Sequence, residues 1–322
     1  MAEPGETPLR IGTRGSRLAL TQSGQLVERL RAAGIAAELV VIQTSGDRLL
    51  DTPLARIGGK GLFIKELEEA LTDGAIDCAI HSLKDVPAQL PPGFALAAVS
   101  AREDPCDVLV PATRLAVPGV DGLELLAALP PGCRIGTGSL RRRAQILARR
   151  PDLTIIGLRG NVDTRLKRAE EGVVDVVVLA AAGLRRLGLE VDARPLSVDV
   201  IVPSSGQGAL AIEIRADRPD LFERLKTLQD PETAALCSAE RAFCRALGAS
   251  CVAPVAAFAT TTASGQFRLT GLVAGIDGYP LLREFIEGAL VDAERLGEAL
   301  ARRLLERGAG DVLASVAHDA PD

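Results

Sequence analysis

Short apolar segments alternate with amphipathic segments along the first two-thirds of the chain. Leu9–Thr13 is rich in apolar and β-branched residues and predicts a strand, and the apolar positions of Arg17–Ala33 recur with helical spacing. Gly34 is the expected end of this helix, since glycine readily adopts the left-handed conformation that follows many helices. The same reasoning predicts a strand over Glu38–Gln43, a helix over Phe63–Thr72 and a strand over Ala75–His81. This alternation is typical of an α/β fold.

Two short motifs occur twice, in the same order, and predict two similar α/β domains. Residues 10–13 (RIGT) return unchanged at 134–137, and residues 74–77 (GAID) return as GVVD at 172–175. In both copies the second motif precedes a nearly continuous apolar run, which is typical of a strand covered on both faces. The second half of the chain therefore restarts the pattern of the first.

Two later strands indicate that the chain returns to its first domain. Val198–Val202 predicts a strand that crosses back and Ala209–Ile214 predicts the strand that follows, so a two-strand hinge would join the two domains. Beyond Pro219 the composition turns acidic, and Val291–Arg307 predicts the final helix. We therefore predict two similar α/β domains and a smaller C-terminal α+β domain. Their predicted bounds are residues 1–101 with 199–218, residues 102–198, and residues 219–322.

Composition narrows the classes of function. The chain has 322 residues, of which 47% are hydrophobic and only 2% aromatic, too few aromatic side chains for a protein that stacks single-stranded bases. The two histidines and the six cysteines, which include no C-x-x-C pair, predict no metal site. No apolar run is long enough to cross a membrane, and the N-terminus lacks the basic and apolar regions of a signal peptide. We expect a cytoplasmic protein with reduced thiols.

The net charge of −5 hides a strongly basic segment. Residues 134–168 hold ten basic and two acidic side chains, and 32 of the chain's 37 basic residues are arginine. Arginine usage alone can follow genome composition, but its concentration in one segment indicates an anionic ligand, because guanidinium groups bind carboxylates and phosphates through two hydrogen bonds. The scarcity of aromatic residues and the acidic net charge disfavour a nucleic acid as this ligand.

Two glycine-containing turns lie ahead of predicted helices and could each bind an anion. Residues 13–16 (TRGS) and 138–142 (GSLRR) place a serine at a helix start, where backbone N–H groups lack partners, and both add arginine. Alternatively, Ser16 and Ser139 are ordinary helix caps and the arginines are solvated. The occurrence of two related turns, expected to face one cleft, favours the anion site. Neither turn is a dinucleotide fingerprint or a P-loop.

A long connection, residues 44–61, joins the second predicted strand to the second helix. It contains a proline and the run GGKG at 58–61. A connection of this length is typical of a disordered segment or of a mobile lid, and the sequence alone does not choose between them. As a lid, its Arg56 and Lys60 would close over an anion and exclude water.

Lys84 and Asp85 follow the third predicted strand, in the segment HSLKDVP at 81–87. Ligands of open α/β sheets bind beyond the carboxyl ends of the strands, so these two side chains lie where chemistry is expected. The alternative is a surface ion pair ahead of a proline turn.

Three cysteines recur every seven residues in the C-terminal third of the chain. Cys237 and Cys244 are expected on one helical stripe in the core, the usual place of a free cysteine. Cys251 lies beyond Gly248, in a loop that could present its thiol outward. Spacing alone favours three structural cysteines over a reactive one.

These segments together resemble the porphobilinogen deaminase family. The resemblance runs from Ile11 to about Ala274 in ordered blocks. The blocks are GTRGS (12–16), GGKGLFIKEL (58–67), HSLKDVP (81–87), GTGSLRR (136–142), LRGNVDTR (158–165) and GQG (206–208). The resemblance implies three domains, the first two related to type II periplasmic binding proteins, in agreement with the internal repeat.

The resemblance also implies an activity. Four porphobilinogen molecules would be condensed head to tail into the linear tetrapyrrole hydroxymethylbilane, with release of ammonia at each step. A dipyrromethane cofactor, made from the same substrate, would be held by a thioether to Cys251. Loss of ammonia leaves an electron-poor azafulvene, which the free α-carbon of the growing chain attacks. A carboxylate beside the pyrrole nitrogens, that of Asp85, would stabilise the positive charge that develops.

The resemblance also implies which side chains bind the acetate and propionate groups of the cofactor and the substrate. Each added ring carries one of each group and so brings two negative charges. By this matching, the cofactor is bound by Cys251 (covalently), Lys84, Ser139, Arg141, Arg142 and Arg165. The substrate is bound by Arg14, Ser16, Arg159 and Arg186, and the lid contributes Arg56, Lys60 and Phe63. We expect Arg142 to be exposed and to contribute to binding of the anionic chain rather than to folding.

One departure from the family pattern precedes the cofactor cysteine. Ala249-Ser250 stand where the family commonly has Gly-Gly. Three other cysteines match no family role and are expected to be structural: Cys78, Cys106 and Cys133.

We expect a monomer that acts on porphobilinogen and has no nucleic-acid or membrane partner. The competing hypothesis is a non-catalytic two-lobed protein that binds or senses an anionic ligand. Such a protein would need the cleft and the arginines, but neither Asp85 nor Cys251.

Overall fold

The computed structural model of the chain describes residues 7–44, 64–115, 121–249 and 253–319. The chain divides into two units: residues 1–103 with 209–234, and residues 104–208 with 235–322. Each unit is built around its own sheets and apolar cores. Within the described ranges, no helix is both long enough and apolar enough to cross a membrane.

The first unit is a five-stranded sheet packed against helices. Its elements are β1 (Leu9–Arg14), α1 (Arg17–Ala32), β2 (Ala37–Ile42), α2 (Lys65–Thr72), β3 (Cys78–Ser82), β4 (Phe94–Val99), β10 (Leu210–Arg215) and α7 (Pro219–Leu225). The strand order is β2-β1-β3-β10-β4; β1, β2 and β3 are parallel, and β10 is antiparallel to both of its neighbours. Ile11 of β1 and Leu30 of α1 are fully buried in the same core, which shows how the helix covers the sheet.

The second unit contains a five-stranded sheet of matching order. Its elements are β5 (Asp107–Pro111), α3 (Gly122–Ala128), β6 (Arg134–Gly136), α4 (Leu140–Leu147), β7 (Thr154–Ile156), α5 (Val162–Glu170), β8 (Val176–Ala180), α6 (Ala181–Leu187) and β9 (Arg194–Leu196). The strand order is β7-β6-β8-β5-β9; β6, β7 and β8 are parallel, and β5 is antiparallel to both of its neighbours. The two sheets therefore have the same sequence of parallel and antiparallel pairs.

The second unit also holds a three-stranded antiparallel sheet. Its strands are β11 (Val255–Thr261), β12 (Phe267–Ala274) and β13 (Leu281–Gly288), and its helices are α9 (Ala293–Glu306), α10 (Ala309–Asp319) and most of α8 (Pro231–Ala246). Phe243 of α8 and Phe267 of β12 are fully buried in its core. Gly271 of β12 makes this packing possible, because a Cβ there would lie 2.6 Å from the Phe243 ring.

The repeated sequence motifs form the same ion pair in both five-stranded sheets. Arg10 donates to Asp77 from its backbone N–H at 2.9 Å and from its guanidinium group at 3.0 and 3.2 Å. Arg134 donates to Asp175 in the same way, at 2.9 Å from the backbone and at 2.7 and 3.1 Å from the guanidinium group. Each pair joins the starts of two neighbouring parallel strands and helps to fix their register. The sequence repeat is thus a structural repeat.

Two similar α/β sheets, a further sheet near the C-terminus and nearly all predicted strands and helices are confirmed. The helix predicted to be the last is followed by α10. The strand predicted over Val198–Val202 is wrong, and with it the predicted two-strand hinge, because this segment is a turn. Val200 and Ile201 both donate their backbone N–H to the carbonyl of Ser197, at 2.9 and 3.0 Å. The Val202 N–H donates to the side chain of Gln145 instead of to a neighbouring strand.

Two segments belong to other units than the sequence pattern predicts. Residues 199–208, predicted with the first domain, belong to the second unit, where Val202 and Gln207 make buried hydrogen bonds. Residues 219–234, predicted to begin the last domain, belong to the first unit because Leu221 of α7 packs into its core. The division into three domains with the predicted bounds stays a prediction.

Asp175→Asn should reduce the stability of the protein at neutral pH by about 1–2 kcal/mol, because it removes the charged acceptor of several hydrogen bonds. The bonds from Arg134, with that from Arg114, lower the pKa of Asp175 to about 2. The pKa in the unfolded chain is higher, about 3.9, so this stabilisation is present above pH ~4 and is lost as the pH falls toward 2. Urea unfolding near pH 7 and near pH 3 measures both parts of this prediction.

Asp192→Asn is the matched control, because Asp192 forms an exposed pair with Arg194, two residues along the chain. Exposed pairs of this kind contribute about 0–1 kcal/mol. Equal urea midpoints of the two variants near pH 7 would contradict the role given to Asp175.

Candidate active site

In the first sheet, the predicted site residues lie beyond the carboxyl ends of the parallel strands. Arg14 is the last residue of β1, and Lys84 and Asp85 belong to a short 3-10 turn directly after β3. Because β1 and β3 are parallel neighbours, their ends meet at one edge of the sheet. The Ser82 hydroxyl at the end of β3 donates to the Gln22 side chain at 3.5 Å, which links β3 to α1.

Ser16 caps α1. Its side chain accepts a hydrogen bond from the Ala19 N–H at 3.3 Å. Thr13, buried near the end of β1, shares a hydrogen bond of 2.8 Å with the Ser23 hydroxyl of α1, so the helix start is held on the strand. The helix-cap interpretation of Ser16 is therefore confirmed, and its contact with a ligand stays a prediction.

Asp85 is presented to solvent on an anchored turn. Leu83 is buried and its N–H donates to the Ala209 carbonyl at 3.0 Å, while the Val86 N–H closes the turn on the Leu83 carbonyl at 3.1 Å. The Asp85 side chain is exposed and has no hydrogen bond or ion pair to another described residue. A carboxylate on such a support is available to a ligand.

A buried histidine–glutamate pair lies in the strands next to this turn. His81 Nε2 of β3 is 2.9 Å from Oε2 of Glu213 of β10, and both side chains are buried. Burial, together with the Glu213 charge, raises the pKa of Glu68 of α2 to about 6. This pair was not predicted, although a glutamate inside the apolar run ALAIEI (209–214) was a signal, since a buried charge needs a partner. No group of three His, Cys, Asp or Glu in the described ranges is arranged to hold a metal ion.

In the second unit, the turn after β6 repeats the arrangement of the turn after β1. Ser139 caps α4 and accepts a hydrogen bond from the Arg142 N–H at 3.4 Å. The Ser139 N–H in turn donates to the Thr137 hydroxyl at 3.2 Å. The helix-cap interpretation of Ser139 is confirmed as well.

Three further predicted arginines follow the neighbouring parallel strands. Arg159 comes after β7, Arg165 lies on α5, and Arg186 lies on α6 after β8. Arg165 Nε donates to the Gly160 carbonyl at 2.9 Å, and Arg186 Nη2 donates to the Gly208 carbonyl at 2.6 Å. Burial lowers the pKa of Arg159 from its ordinary value. These two bonds orient the guanidinium groups of Arg165 and Arg186.

Arg141 and Arg142 are buried, so the prediction that Arg142 is exposed is wrong. Only 4% and 5% of their surfaces are accessible, because both guanidinium groups reach Asp107, the first residue of β5. Arg141 Nη1 lies 2.7 Å from Asp107 Oδ2, and Arg142 Nε and Nη2 lie 3.1 and 2.8 Å from Oδ1. Burial alone would raise the pKa of Asp107, but the two guanidinium groups hold it well below its usual range.

Backbone carbonyls and two glutamines complete this buried cluster. Arg141 Nη1 also donates to the Val202 carbonyl at 2.7 Å. Gln207 Nε2 donates to Asp107 Oδ1 at 3.0 Å, and Gln145 of α4 donates to the Val202 carbonyl at 3.1 Å while it accepts from the Val202 N–H at 2.8 Å. No role was predicted for Asp107 or for either glutamine, although an acid at the start of an apolar strand was a signal for Asp107.

Four predicted site residues lie outside the described residues: Cys251, Arg56, Lys60 and Phe63. Of the other cysteines, Cys237 is buried as predicted. Cys244 is partly buried and packs against the core that contains Phe243 and Phe267. Burial raises the pKa of Cys78 and Cys106 to about 12 and that of Cys133 to about 11. Thiols that stay protonated at neutral pH are typical of structural cysteines.

The described candidates for cofactor binding suit a ligand with several carboxylates. Four are cations and one carries a hydroxyl: Lys84, Arg141, Arg142, Arg165 and Ser139. In the cluster around Asp107, one carboxylate faces two guanidinium groups, so one positive charge is left in excess. A carboxylate of a ligand would neutralise that excess. These residues therefore fit a dipyrromethane, whose acetate and propionate groups are acids.

Comparison with known proteins decides the family. Residues 9–223 match the family model described as porphobilinogen deaminase, dipyromethane cofactor binding domain, and residues 234–306 match porphobilinogen deaminase, C-terminal domain. The chain belongs to the porphobilinogen deaminase family. The porphobilinogen deaminase of Syntrophotalea carbinolica is 50% identical over 311 residues, which cover 96% of each chain. That of Methylobacillus flagellatus is 48% identical over 314 residues, which cover 97% of this chain and 98% of the relative.

Membership of the porphobilinogen deaminase family confirms the predicted activity. The chain is a transferase that condenses four porphobilinogen molecules into hydroxymethylbilane, with release of ammonia, in tetrapyrrole biosynthesis. Its cofactor is dipyrromethane, after which the first matched domain is described. These findings favour the enzyme over a non-catalytic protein that binds or senses an anion.

Solved structures of periplasmic binding proteins are also similar to the chain. A periplasmic substrate-binding protein of an ABC transporter from Coxiella burnetii has a TM-score of 0.42 and 15% identity, covering 72% of this chain and 96% of that one. The periplasmic aliphatic sulphonate binding protein SsuA from Escherichia coli has a TM-score of 0.40 and 16% identity, covering 94% of this chain and 88% of that one.

Arg142→Leu should destabilise the folded protein by about 3 kcal/mol or more, because it leaves the buried Asp107 carboxylate with one cation fewer. Arg143→Leu is the control, since this neighbour is only half-buried and pairs with the exposed Asp277. Its loss should cost about 1 kcal/mol or less. Urea unfolding of the two variants measures the difference. If Arg142→Leu were as stable as Arg143→Leu and only bound substrate more weakly, the structural role of Arg142 would be refuted.

Proposed function

We propose that Asp85 stabilises the positive charge that develops on pyrrole nitrogens during each condensation. Its carboxylate is exposed on a turn that buried Leu83 anchors, and no described residue occupies it. A charge that is fixed before the reaction stabilises a transition state without the cost of reorganisation. One observation carries the proposal: in a chain of this family, this carboxylate is exposed beyond the ends of the parallel strands.

The cofactor is held through a thioether to Cys251. When bound, dipyrromethane supplies the free α-carbon to which the first substrate is joined. Around it, the chain contributes positive charges and hydrogen-bond donors that stabilise the acetate and propionate groups: Lys84, Ser139, Arg141, Arg142 and Arg165. Arg142 acts mainly through its charge, because all three of its guanidinium nitrogens already donate to Asp107 or to the Val178 carbonyl.

The substrate and the growing chain are bound by a second set of donors: Arg14, Ser16, Arg159 and Arg186. The bond that holds Arg186 to the Gly208 carbonyl orients this guanidinium group at the end of α6. Each condensation adds two carboxylates, so successive binding steps need further cations. The half-buried arginines of this set meet that need while their charges are only partly screened by water.

The enzyme is proposed to be a cytoplasmic monomer. All five described cysteines are free thiols, as is usual for proteins of a reducing compartment.

Asp85→Asn should lower kcat by ~10²–10³ while KM changes much less, because the lost charge acts on the transition state. The measurement is single-turnover release of ammonia at saturating porphobilinogen. Asp73→Asn is the control, since Asp73 is an exposed carboxylate at the end of α2, ahead of β3 rather than after it. A rate for Asp85→Asn within about threefold of the native rate would be far short of the expected loss. That result would remove Asp85 from the mechanism and make Lys84 the next candidate.

A further inference from the structure

Asp107 binds both arginines that follow the β6 turn. Its two carboxylate oxygens are divided between them: Oδ2 accepts from Arg141 and Oδ1 accepts from Arg142. All three side chains are more than nine-tenths buried. A buried ion pair is tolerated only where the remaining hydrogen-bonding groups are also satisfied, so the partners of this cluster decide how its guanidinium groups are oriented.

The two arginines use this carboxylate differently. Arg142 donates from Nε, Nη1 and Nη2 to protein acceptors. Arg141 makes both of its bonds from Nη1, to Asp107 and to the Val202 carbonyl, and in the described part of the chain Nε and Nη2 make none. The Nε–Nη2 edge of Arg141 is therefore open to a carboxylate of a ligand, and that carboxylate would neutralise the one positive charge that Asp107 leaves in excess.

Gln207 holds Asp107 in this arrangement. Its Nε2 donates to Asp107 Oδ1 at 3.0 Å and to the Pro105 carbonyl at 2.7 Å, so it connects the carboxylate with the backbone that leads into β5. Gln207 is itself almost fully buried, between Gly206 and Gly208, both of which have positive φ angles. The conformation of this turn depends on the freedom of these two glycines.

The same segment also contacts the other elements of the second unit. The Gly206 N–H donates to the buried Glu240 of α8 at 2.6 Å, and the Gly208 carbonyl accepts from Arg186. Residues 202–208 thus form one support that contacts Arg141, Asp107 and Arg186. A displacement of this support would move several guanidinium groups together.

We infer that Asp107 and Gln207 are positioning residues, which orient the open edge of Arg141 toward one carboxylate of the cofactor. The inference rests on the proposed cofactor-binding role of Arg141. Neither residue needs to touch the cofactor. Without Asp107, two buried guanidinium groups would repel each other and lose their common acceptor, so Arg141 would no longer be held ready for a ligand.

The test uses the full chain, purified from cells that make no porphobilinogen. Porphobilinogen is then added, and intact mass spectrometry measures the rate at which the chain acquires its cofactor. Asp107→Asn should load about tenfold to a hundredfold more slowly than the native chain, the range expected for one charge-assisted contact. Gln207→Leu keeps both ion pairs and should load about threefold to tenfold more slowly, because Asp107 and the Pro105 carbonyl lose the hydrogen bonds that Gln207 donates to them. Should Asp107→Asn fail to fold, Gln207→Leu decides the question.

Asp175→Asn is the matched control, because it removes a carboxylate that holds Arg134 and Arg114 in the same unit, away from Arg141. It should be destabilised in urea and still load at the native rate. Native loading rates in Asp107→Asn and Gln207→Leu, or equally slow loading in Asp175→Asn, would overturn the inference. A native chain that never acquires the cofactor would instead refute the proposed function.

Discussion

The candidate binding residues of the second unit depend on one interaction, in which Arg141 and Arg142 both pair with the carboxylate of Asp107. It joins the start of β5 to α4, and through Gln207 it also fixes the segment that returns from the second sheet. Burial of three charges is costly unless the geometry is good, and here the bonds to the carboxylate measure 2.7–3.1 Å. Because two cations share one anion, the folded chain already carries the charge that an acidic ligand needs.

A second constraint is repeated in both five-stranded sheets. The pairs Arg10–Asp77 and Arg134–Asp175 each join two neighbouring parallel strands at their starts, and the opposite ends of those strands carry the candidate site residues. Parallel strands bring their carboxyl ends to one edge, so a turn with a capped helix start and an arginine occurs at each edge. Each edge by itself suits an acidic ligand, because its capped helix start and its arginine both favour negative charge.

Local patterns predicted most of this fold, and long-range contacts account for what they missed. Strands and helices with clear periodicity were predicted because they depend on neighbouring residues, and the internal repeat was predicted because its two short motifs recur in the sequence. Val198–Val202 has the β-branched composition of a strand, yet a bond from Val202 to Gln145 holds it as a turn. Arg142 was predicted to be exposed because its partner Asp107 lies 35 residues earlier in the chain. The roles of Cys251 and Asp85 were predicted from family motifs, since neither spacing nor charge distinguishes them.

The central claim is that the chain builds its product on a cofactor bonded to Cys251, and intact mass spectrometry of the purified protein tests it most directly. We predict a mass that exceeds the sequence by two substituted pyrroles, and further increases of one porphobilinogen less one ammonia when substrate is added. Cys251→Ser should show neither, while Cys244→Ser, which alters a cysteine packed against the C-terminal core, should show both. An active protein with the mass of the bare sequence, or a Cys251→Ser variant that still carries the adduct, would contradict the claim.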